Sequence, residues 1–253
     1  MKNDQTLLAV LIDADNIPAR YANAILKEVA RFGEPALRRV YGDWGSDRMN
    51  AWRSQVRDLG LVSQQETANT TGKNASDIGL VIDAMDILHT RRFDGFVLVS
   101  SDSDFTALAN RLREDGVEVI GIGEDKAPRS LRNVCNRFIL IENIIKAEEP
   151  DPEPPKPPKP KAKKQAEPEL KVEPEPQKRP PSAVVPLVRR AMVAIDPDGD
   201  WYALGQLGHQ ISRLSTDFDP RTYGSAKLSD VLSKGGGFDL RQVDGTWQAR
   251  KKT

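Results

Sequence analysis

A proline-rich segment in the middle of the chain restricts the possible folds more than any other feature of the sequence. Between Pro150 and Pro181, proline alternates with lysine and glutamate, and large apolar side chains are almost absent. Such a segment buries too little apolar surface to offset the conformational entropy that ordering would cost. The sequence therefore predicts two folded domains, at residues 5–146 and 184–250. A disordered, semi-stiff linker over residues 147–183 is expected to join them.

The composition excludes several classes of protein. The 253 residues carry 37 basic and 37 acidic side chains, so net charge gives no argument for or against nucleic acid, membrane or acidic substrates. The single cysteine, Cys135, excludes an intrachain disulfide, and with only two histidines it leaves too few ligands for a structural zinc site. No apolar run approaches the roughly 20 residues that cross a bilayer. We therefore expect a protein of the reducing cytoplasm with no membrane contact.

The first domain alternates short apolar runs with stretches of helical periodicity. Strands buried on both faces, with helices between them, indicate an α/β fold with a mostly parallel sheet and flanking helices. Ligands of such sheets bind beyond the carboxyl ends of the strands, where the strand order reverses. The predicted strands are Leu7–Ile12, Ala36–Tyr41, Leu61–Gln65, Gly95–Ser100, Glu118–Ile122 and Phe138–Ile141, and the predicted helices are Pro18–Phe32, Met49–Leu59, Ser76–Leu88, Phe105–Glu114 and Arg129–Val134.

Two of the predicted strands run directly into aspartates. The first is followed by Asp13-Ala14-Asp15-Asn16, and the fourth by Ser101-Asp102-Ser103-Asp104. Because the carboxyl ends of parallel strands share one edge of the sheet, both clusters should lie together, and their mutual repulsion favours a hard cation with oxygen ligands, Mg²⁺ or Mn²⁺. The alternative is that these side chains cap the helices that follow. The presence of both clusters favours the metal site.

A third acid begins a predicted helix, after the long polar stretch Glu66–Ser76. Asp77 lies in the first turn, where the helix dipole favours negative charge, so it either joins the cluster or caps its own helix with Ser76. The polar stretch is typical of an active-site loop. Asp83 points away from Asp77 on a helical wheel, so we interpret it as a charge that is either structural or supports the metal-binding residues.

These residues resemble the motifs of the NYN domain, a member of the PIN-like nuclease superfamily. The resemblance spans residues 7–145 and implies a PIN-like, Rossmann-type fold and a ribonuclease that depends on Mg²⁺ or Mn²⁺. It rests on Leu-Ile-Asp-Ala-Asp-Asn at 11–16, Lys73 with Asp77, Val-Ser-Ser-Asp-Ser-Asp-Phe at 99–105, and Gly-Val-Glu-Val-Ile-Gly-Ile-Gly at 116–123 with Ser130-Leu131.

The resemblance also implies roles for individual residues. The metal-holding positions of the family fall on Asp13, Asp77, Asp102 and Asp104, and its adjacent amide falls on Asn16. Asp104 is expected either to bind the metal through water or to act as a base. Beside them, Asn16 and Ser101 would orient water or a carboxylate, and Lys73 would neutralise phosphate.

Two other functions are compatible with the same residues. Asp13-Ala14-Asp15 after an apolar strand also resembles the opening motif of HAD phosphatases, although Asn16 stands where that family has Thr or Val. Release of phosphate from small monoesters would favour that chemistry. The second alternative is a catalytically silent RNA-binding adaptor, against which the intact set of acids argues.

The second domain has the pattern of a winged helix, with helices at Val188–Ile195, Leu204–Leu214 and Lys227–Leu232 and a hairpin at Phe238–Arg241 and Thr246–Arg250. Gly-Asp-Trp-Tyr-Ala-Leu-Gly-Gln-Leu-Gly at 199–208, Asp-Phe-Asp-Pro-Arg-Thr-Tyr-Gly at 217–224 and Lys-Leu-Ser-Asp-Val-Leu at 227–232 resemble the OST-HTH domain, also called LOTUS. That family is associated with RNA and, in some members, with protein partners.

Four residues of this domain are candidates for binding RNA by charge and stacking: Arg221, Tyr223, Lys227 and Lys234. The alternative is that Tyr223 and Phe218 belong to the core, and that the cations form a solvated face.

Overall fold

The computed structural model describes residues 6–65, 75–148, 179–243 and 245–252, so most of the predicted linker lies outside the described residues. Helices flank both faces of a six-stranded sheet in which all paired strands are parallel. This confirms the predicted α/β fold. The strands are β1 (Leu7–Asp13), β2 (Glu34–Gly42), β3 (Val62–Gln65), β4 (Gly95–Val99), β5 (Glu118–Gly123) and β6 (Arg137–Leu140), and the helices are α1 (Ala22–Val29), α2 (Asn50–Leu59), α3 (Ala75–His89), α4 (Thr106–Glu114), α5 (Arg129–Val134) and α6 (Ile141–Glu148).

The sheet order is β3-β2-β1-β4-β5-β6, so the direction of winding reverses between β1 and β4. A crevice opens at the carboxyl ends of the two strands on either side of such a reversal. These are the two strands that the aspartates follow.

Alternate residues of β1 pack against opposite helix layers. Ala9 and Leu11 pack with residues of α3, α4 and α5, whereas the residues between them pack with α1, α2 and α6. Asp13 continues the first series, because side chains alternate along a strand. Its carboxylate is thereby on the same face of the sheet as α3.

One helix of this domain differs from the sequence prediction. The last predicted strand included Ile141, which instead begins α6. Ile141 and Ile144 are buried against the α1 layer, and Ile145 packs beside them. Isoleucines at this spacing lie on one helix face, but the apolar run of β6 continues into them without a break in the sequence.

The C-terminal domain contains α7 (Val185–Ile195), α8 (Leu204–Leu214) and α9 (Leu228–Gly235), with an antiparallel sheet in the order β7-β9-β8. Its core is formed by side chains from all three helices and from the hairpin. This confirms the predicted helices and hairpin. The two-residue strand β7 (Tyr202–Ala203), beside β8 (Phe238–Val243) and β9 (Thr246–Lys251), was not predicted because it is too short to show a period of two.

The two domains contact each other at β6, the edge strand of the large sheet. The backbone N–H of Phe138 donates to the carbonyl of Thr216 at 3.0 Å, and the Thr216 hydroxyl donates to the carbonyl of Arg132 at 2.7 Å. Asn143 of α6 donates to the Thr222 hydroxyl at 2.8 Å. An open edge strand is covered in this way by the second domain. Among the described residues, no helix is long and apolar enough to cross a membrane.

Candidate functional site

The end of β1 places Asp13 inside the protein. Its side chain is 3% exposed, and its Oδ2 accepts a hydrogen bond from the hydroxyl of Ser100, which follows β4, at 2.8 Å. Its Oδ1 accepts from the backbone N–H groups of Asp15 and Asn16, both at 3.2 Å. These three bonds fix the carboxylate between the two central strands and also hold the turn that follows β1.

The turn after β4 is tied to the turn after β1. The backbone N–H of Ser101 donates to Asn16 Oδ1 at 3.2 Å, so Asn16 joins the two turns. On the other side, the Ser101 hydroxyl accepts from the backbone N–H of Glu124 at 2.8 Å. Gly123 permits this close packing, since a Cβ there would lie 2.6 Å from the carbonyl oxygen of Ser100. Asn16 and Ser101 therefore organise the backbone around the acids.

Three carboxylates come close together beside the turn after β4. Asp77, Asp102 and Asp104 each offer an oxygen, and the three oxygens lie within 4.8 Å of one another. Asp77 comes from the first turn of α3, and the other two come from the turn after β4. The arrangement brings together residues from two separate parts of the sequence. Oxygen atoms this close can share one hard cation.

Asp102 both caps a helix and belongs to the group of three carboxylates. Asp102 Oδ1 accepts from the backbone N–H of Asp104 at 3.0 Å and thereby caps the short 3-10 helix Ser103–Phe105 that precedes α4. The capping alternative is thus correct for Asp102 without excluding the cluster. A carboxylate oxygen that accepts one hydrogen bond keeps a second lone pair.

Burial and mutual repulsion set the electrostatics of Asp13 and Asp77. Burial raises the pKa of Asp13 to about 6, against the lowering effect of Ser100, and the negative charge of Asp77 adds to the rise. Burial also raises the pKa of Asp77, with further contributions from the charges of Asp102 and Asp104. A divalent cation would reverse this repulsion, so the donor set and its charge fit Mg²⁺ or Mn²⁺.

The other candidate residues of the first domain, Asp83, Asp15 and Lys73, are not part of this group of three carboxylates. Asp83 accepts from Arg39 and from the Tyr41 hydroxyl, both on β2, which agrees with its interpretation as a structural charge. Asp15 is exposed at the turn after β1. Lys73 lies outside the described residues, so its expected contact with phosphate stays a prediction.

The four candidate RNA-binding residues of the second domain are placed unequally. Tyr223 is 8% exposed and its ring lies 5.9 Å from that of Phe218, so it belongs to the core, as the alternative interpretation had it. Arg221 donates to Asp219 and to Glu28 of the first domain, both at 2.7 Å.

The two lysines differ from both of these residues. Lys227 is exposed at the N-cap of α9, and Lys234 donates to the Ser225 hydroxyl at 3.2 Å. Of the four candidates, Lys227 has the position best suited to contact a ligand.

The structure also shows exposed aromatic and basic groups that the sequence analysis missed. Arg241 and Arg250 lie 3.9 and 4.9 Å from the ring centre of Trp201, and Trp247 on β9 is 45% exposed. Trp247 is on the same face of β9 as the buried Ala249, two positions away, but it is exposed.

Comparison with known proteins agrees with this architecture. The NYN domain family model matches residues 7–142, and the OST-HTH/LOTUS domain model matches residues 175–246. The NYN match includes Asp13 and Asp15, the residues on which the resemblance to HAD phosphatases rested. No curated protein matches the chain.

Among solved structures, the chain is similar to a protein of unknown function from Vibrio parahaemolyticus RIMD 2210633. The two sequences are 20% identical, and the alignment covers 56% of this chain and 96% of that one with a TM-score of 0.48.

The NYN match covers more than half of the chain and includes Asp13, Asp77, Asp102 and Asp104. NYN domains are PIN-like and nuclease-like, and OST-HTH/LOTUS domains are associated with RNA. This chain therefore belongs to the NYN domain family and carries an OST-HTH/LOTUS domain after its NYN domain.

Proposed function

We propose that this protein is a ribonuclease that hydrolyses RNA phosphodiesters with Mg²⁺ or Mn²⁺ held by its aspartates. The observation that carries the proposal is the convergence of Asp77, Asp102 and Asp104, whose oxygens lie within 4.8 Å of one another at the carboxyl end of the sheet. Bound there, the cation would lower the pKa of a water molecule and stabilise charge on the phosphate.

Asp13 is the fourth carboxylate of the proposed site. Its Oδ1 accepts two backbone hydrogen bonds, whereas among the described residues Oδ2 accepts that of Ser100 alone and so keeps a lone pair for a cation. Since Asp13 is nearly fully buried, it is held rigidly. The hydrogen bond between Asn16 and Ser101 holds the turn after β1 next to the turn after β4.

A shallow cavity beside the acids offers a place for the substrate backbone. It has a volume of about 350 Å³ and extends from Asp15 and Asn16 to Trp52. Arg20 and Arg48 are exposed at its border. We propose that these two arginines contact RNA phosphates next to the cleaved bond, because a guanidinium donates two hydrogen bonds to one phosphate.

The decisive experiment is a cleavage assay with labelled single-stranded and structured RNAs in Mg²⁺, Mn²⁺ or EDTA. The full chain is compared with Asp102→Asn, in which asparagine preserves the cap of the following 3-10 helix. Asp58→Asn changes a 62% exposed carboxylate at the end of α2 and serves as a matched control. Metal-dependent cleavage that is lost in Asp102→Asn and kept in Asp58→Asn supports the proposal.

Other outcomes assign the alternatives. RNA binding without cleavage in Mn²⁺ would identify a silent adaptor. Release of phosphate from small monoesters, without cleavage of RNA, would identify HAD-like chemistry.

A further inference from the structure

A groove crosses the junction between the two domains, and we propose that it binds a single strand of RNA. We call it the junction groove. The inference rests on the proposed function for the choice of RNA as ligand, and it assigns a binding site that is separate from the cluster of aspartates.

The junction groove consists of two adjoining cavities of about 730 and 530 Å³. Both are lined by Leu204 and Gly205 at the start of α8 and by Leu228 at the start of α9, so the cavities adjoin at these residues. The larger one extends to Phe32 and Arg137 of the NYN domain. A ligand that fills the groove therefore touches both domains.

Cations from both domains line the groove. The NYN domain contributes Arg31 and Arg137, both exposed, and the C-terminal domain contributes Lys227, also exposed. The guanidinium of Arg137 lies 4.9 Å from the centre of the Phe32 ring, which orients it at the border of the groove. Positive groups spaced along an open groove are the usual way to follow a phosphate backbone.

The carboxylates of the groove are mostly neutralised within the protein. Glu28 and Asp219 both accept from Arg221 at 2.7 Å, and Glu28 also pairs with Arg31 at 3.0 Å. Asp230 lies in the first turn of α9 and lines the smaller cavity. It is the carboxylate whose removal should strengthen the binding of an anion.

Aromatic side chains lie at the two ends of the groove. Trp247, 45% exposed, lines the end formed by the C-terminal domain, and Phe32 lines the end formed by the NYN domain. An exposed indole beside a lysine can stack on a nucleobase of any sequence. The combination of cations and separated aromatic groups favours a single strand over a small anion, which would use the charges but not the rings.

Between the two aromatic ends, the groove is lined by two glycines of α8, Gly205 and Gly208. A Cβ added at Gly205 would meet no atom within 4 Å, and one at Gly208 would meet only Leu228, at 4.0 Å. Gly208 is inside α8, where glycine is unfavourable, and no close contact requires the absence of its side chain. Gly205 keeps a side chain out of the groove where the two cavities meet, and Gly208 does so in the larger cavity.

The junction groove and the aspartates lie at opposite ends of the sheet. Arg137 is the first residue of β6, and Arg31 precedes β2, whereas Asp13 ends β1 and Asp102 follows β4. All these strands are parallel, so their amino and carboxyl ends are separated by the length of a strand, about 20 Å. RNA held in the groove must therefore span several nucleotides before it reaches the acids.

The experiment measures binding of a fluorescently labelled single-stranded RNA of about 20 nucleotides, a length that exceeds the site size of a typical single-strand-binding module. Binding to the full chain is followed by anisotropy in EDTA over a salt series. Arg137→Gln tests the NYN side, Lys227→Gln tests the C-terminal side, and Trp247→Ala tests stacking, with Trp247→Phe to restore an aromatic ring. Arg189→Gln changes an exposed arginine of α7 outside the groove and is the control.

We expect roughly fivefold or greater weakening in each of the two charge variants, with a salt slope reduced by about one ion. Trp247→Ala should weaken binding about tenfold and Trp247→Phe much less. Asp230→Asn should bind more tightly than the wild type.

Three results would overturn the proposal. Wild-type affinity in Arg137→Gln, with affinity lost in Lys227→Gln, would confine the site to the C-terminal domain. If Arg189→Gln weakened RNA binding as much as the groove variants, the effect would be one of overall charge. If the wild type did not bind RNA, the groove would instead be a candidate site for a protein partner. Because binding is measured in EDTA, its outcome is independent of cleavage. Binding through the groove without cleavage in Mg²⁺ or Mn²⁺ would reject the nuclease and keep the groove.

Discussion

Arg221 of the C-terminal domain and Glu28 at the end of α1 form an ion pair across the domain junction, with Nη2 and Oε1 2.7 Å apart. The Glu28 side chain is 7% exposed and that of Arg221 19% exposed. Burial by itself would raise the pKa of Glu28, but hydrogen bonds and charge from Arg221, and then from Arg31, lower it overall. The pair thus holds a charged carboxylate inside the junction.

We predict that Arg221→Gln separates the two domains. The variant leaves the buried Glu28 without its main partner, which is costly for a charge in this position. The expected results are a larger radius of gyration in X-ray scattering and faster hydrogen exchange at the backbone N–H of Phe138, which loses its Thr216 acceptor. Arg213→Gln, on α8, should change neither. Unchanged exchange at Phe138 in Arg221→Gln would contradict the prediction.

The lowered pKa of Glu28 also predicts a pH dependence. An acid whose pKa is lower in the folded state contributes stability above its unfolded pKa, and this contribution is lost as the pH falls through the folded pKa. Docking should therefore weaken on acidification below the ordinary pKa of glutamate, near 4.5. Scattering at decreasing pH, compared between the wild type and Glu28→Gln, measures this difference.

Divalent metal is predicted to stabilise the protein through the aspartate cluster. A ligand that binds only the folded state adds about 2.7 kcal/mol at a concentration about 100 times its Kd. Mn²⁺ should therefore raise the melting temperature of the wild type by several degrees. In Asp77→Asn the melting temperature without metal should be higher, because repulsion among the acids is relieved, and the response to Mn²⁺ should be small. Asp115→Asn is the control, and a full Mn²⁺ response in Asp77→Asn would count against the site.

Asp13 is predicted to destabilise the metal-free protein as the pH rises. The pKa of its carboxyl group is about 6 in the folded state, against 3.8 for an ordinary aspartate, so between these pH values the folded protein retains a proton that the unfolded chain has released. The free energy of unfolding then falls with increasing pH, by about 3 kcal/mol from this group alone.

The difference in the free energy of unfolding between the wild type and Asp13→Asn isolates the contribution of this carboxyl group. Urea unfolding in EDTA should show the variant gaining stability relative to the wild type as the pH rises from about 4 to about 7, the range in which the folded and unfolded carboxyl groups differ in protonation. A constant difference over this range would show that the carboxyl group ionises normally.

Asp83 is predicted to position α3 and, through it, Asp77. It accepts from Arg39 and Tyr41 of β2, and burial together with the charge of Asp83 raises the pKa of Tyr41. Asp83→Asn should cost about 2 kcal/mol of stability because these donors lose a charged acceptor. It should also weaken the affinity for Mn²⁺, whereas Asp86→Asn, on the same helix, should do neither. Loss of stability with unchanged Mn²⁺ affinity would reduce Asp83 to a purely structural role.

The sequence determined the elements of the NYN domain and the acids that follow β1 and β4. Apolar runs bounded by polar residues report burial directly, and the shared edge of a parallel sheet brings Asp13 and Asp102 near each other whatever the packing of the helices. The sequence did not show that Ile141 begins a helix, because an apolar run that passes from a strand into a helix shows no boundary.

Tertiary structure alone decided which side chains meet across the domain junction. Arg221 was expected to face RNA and instead pairs with Glu28, 193 positions earlier, while Tyr223 is in the core. The junction groove likewise combines residues of two domains. Periodicity indicates which face of an element is buried, but the partner of that face depends on packing between elements that are distant in sequence, and no local pattern encodes that choice.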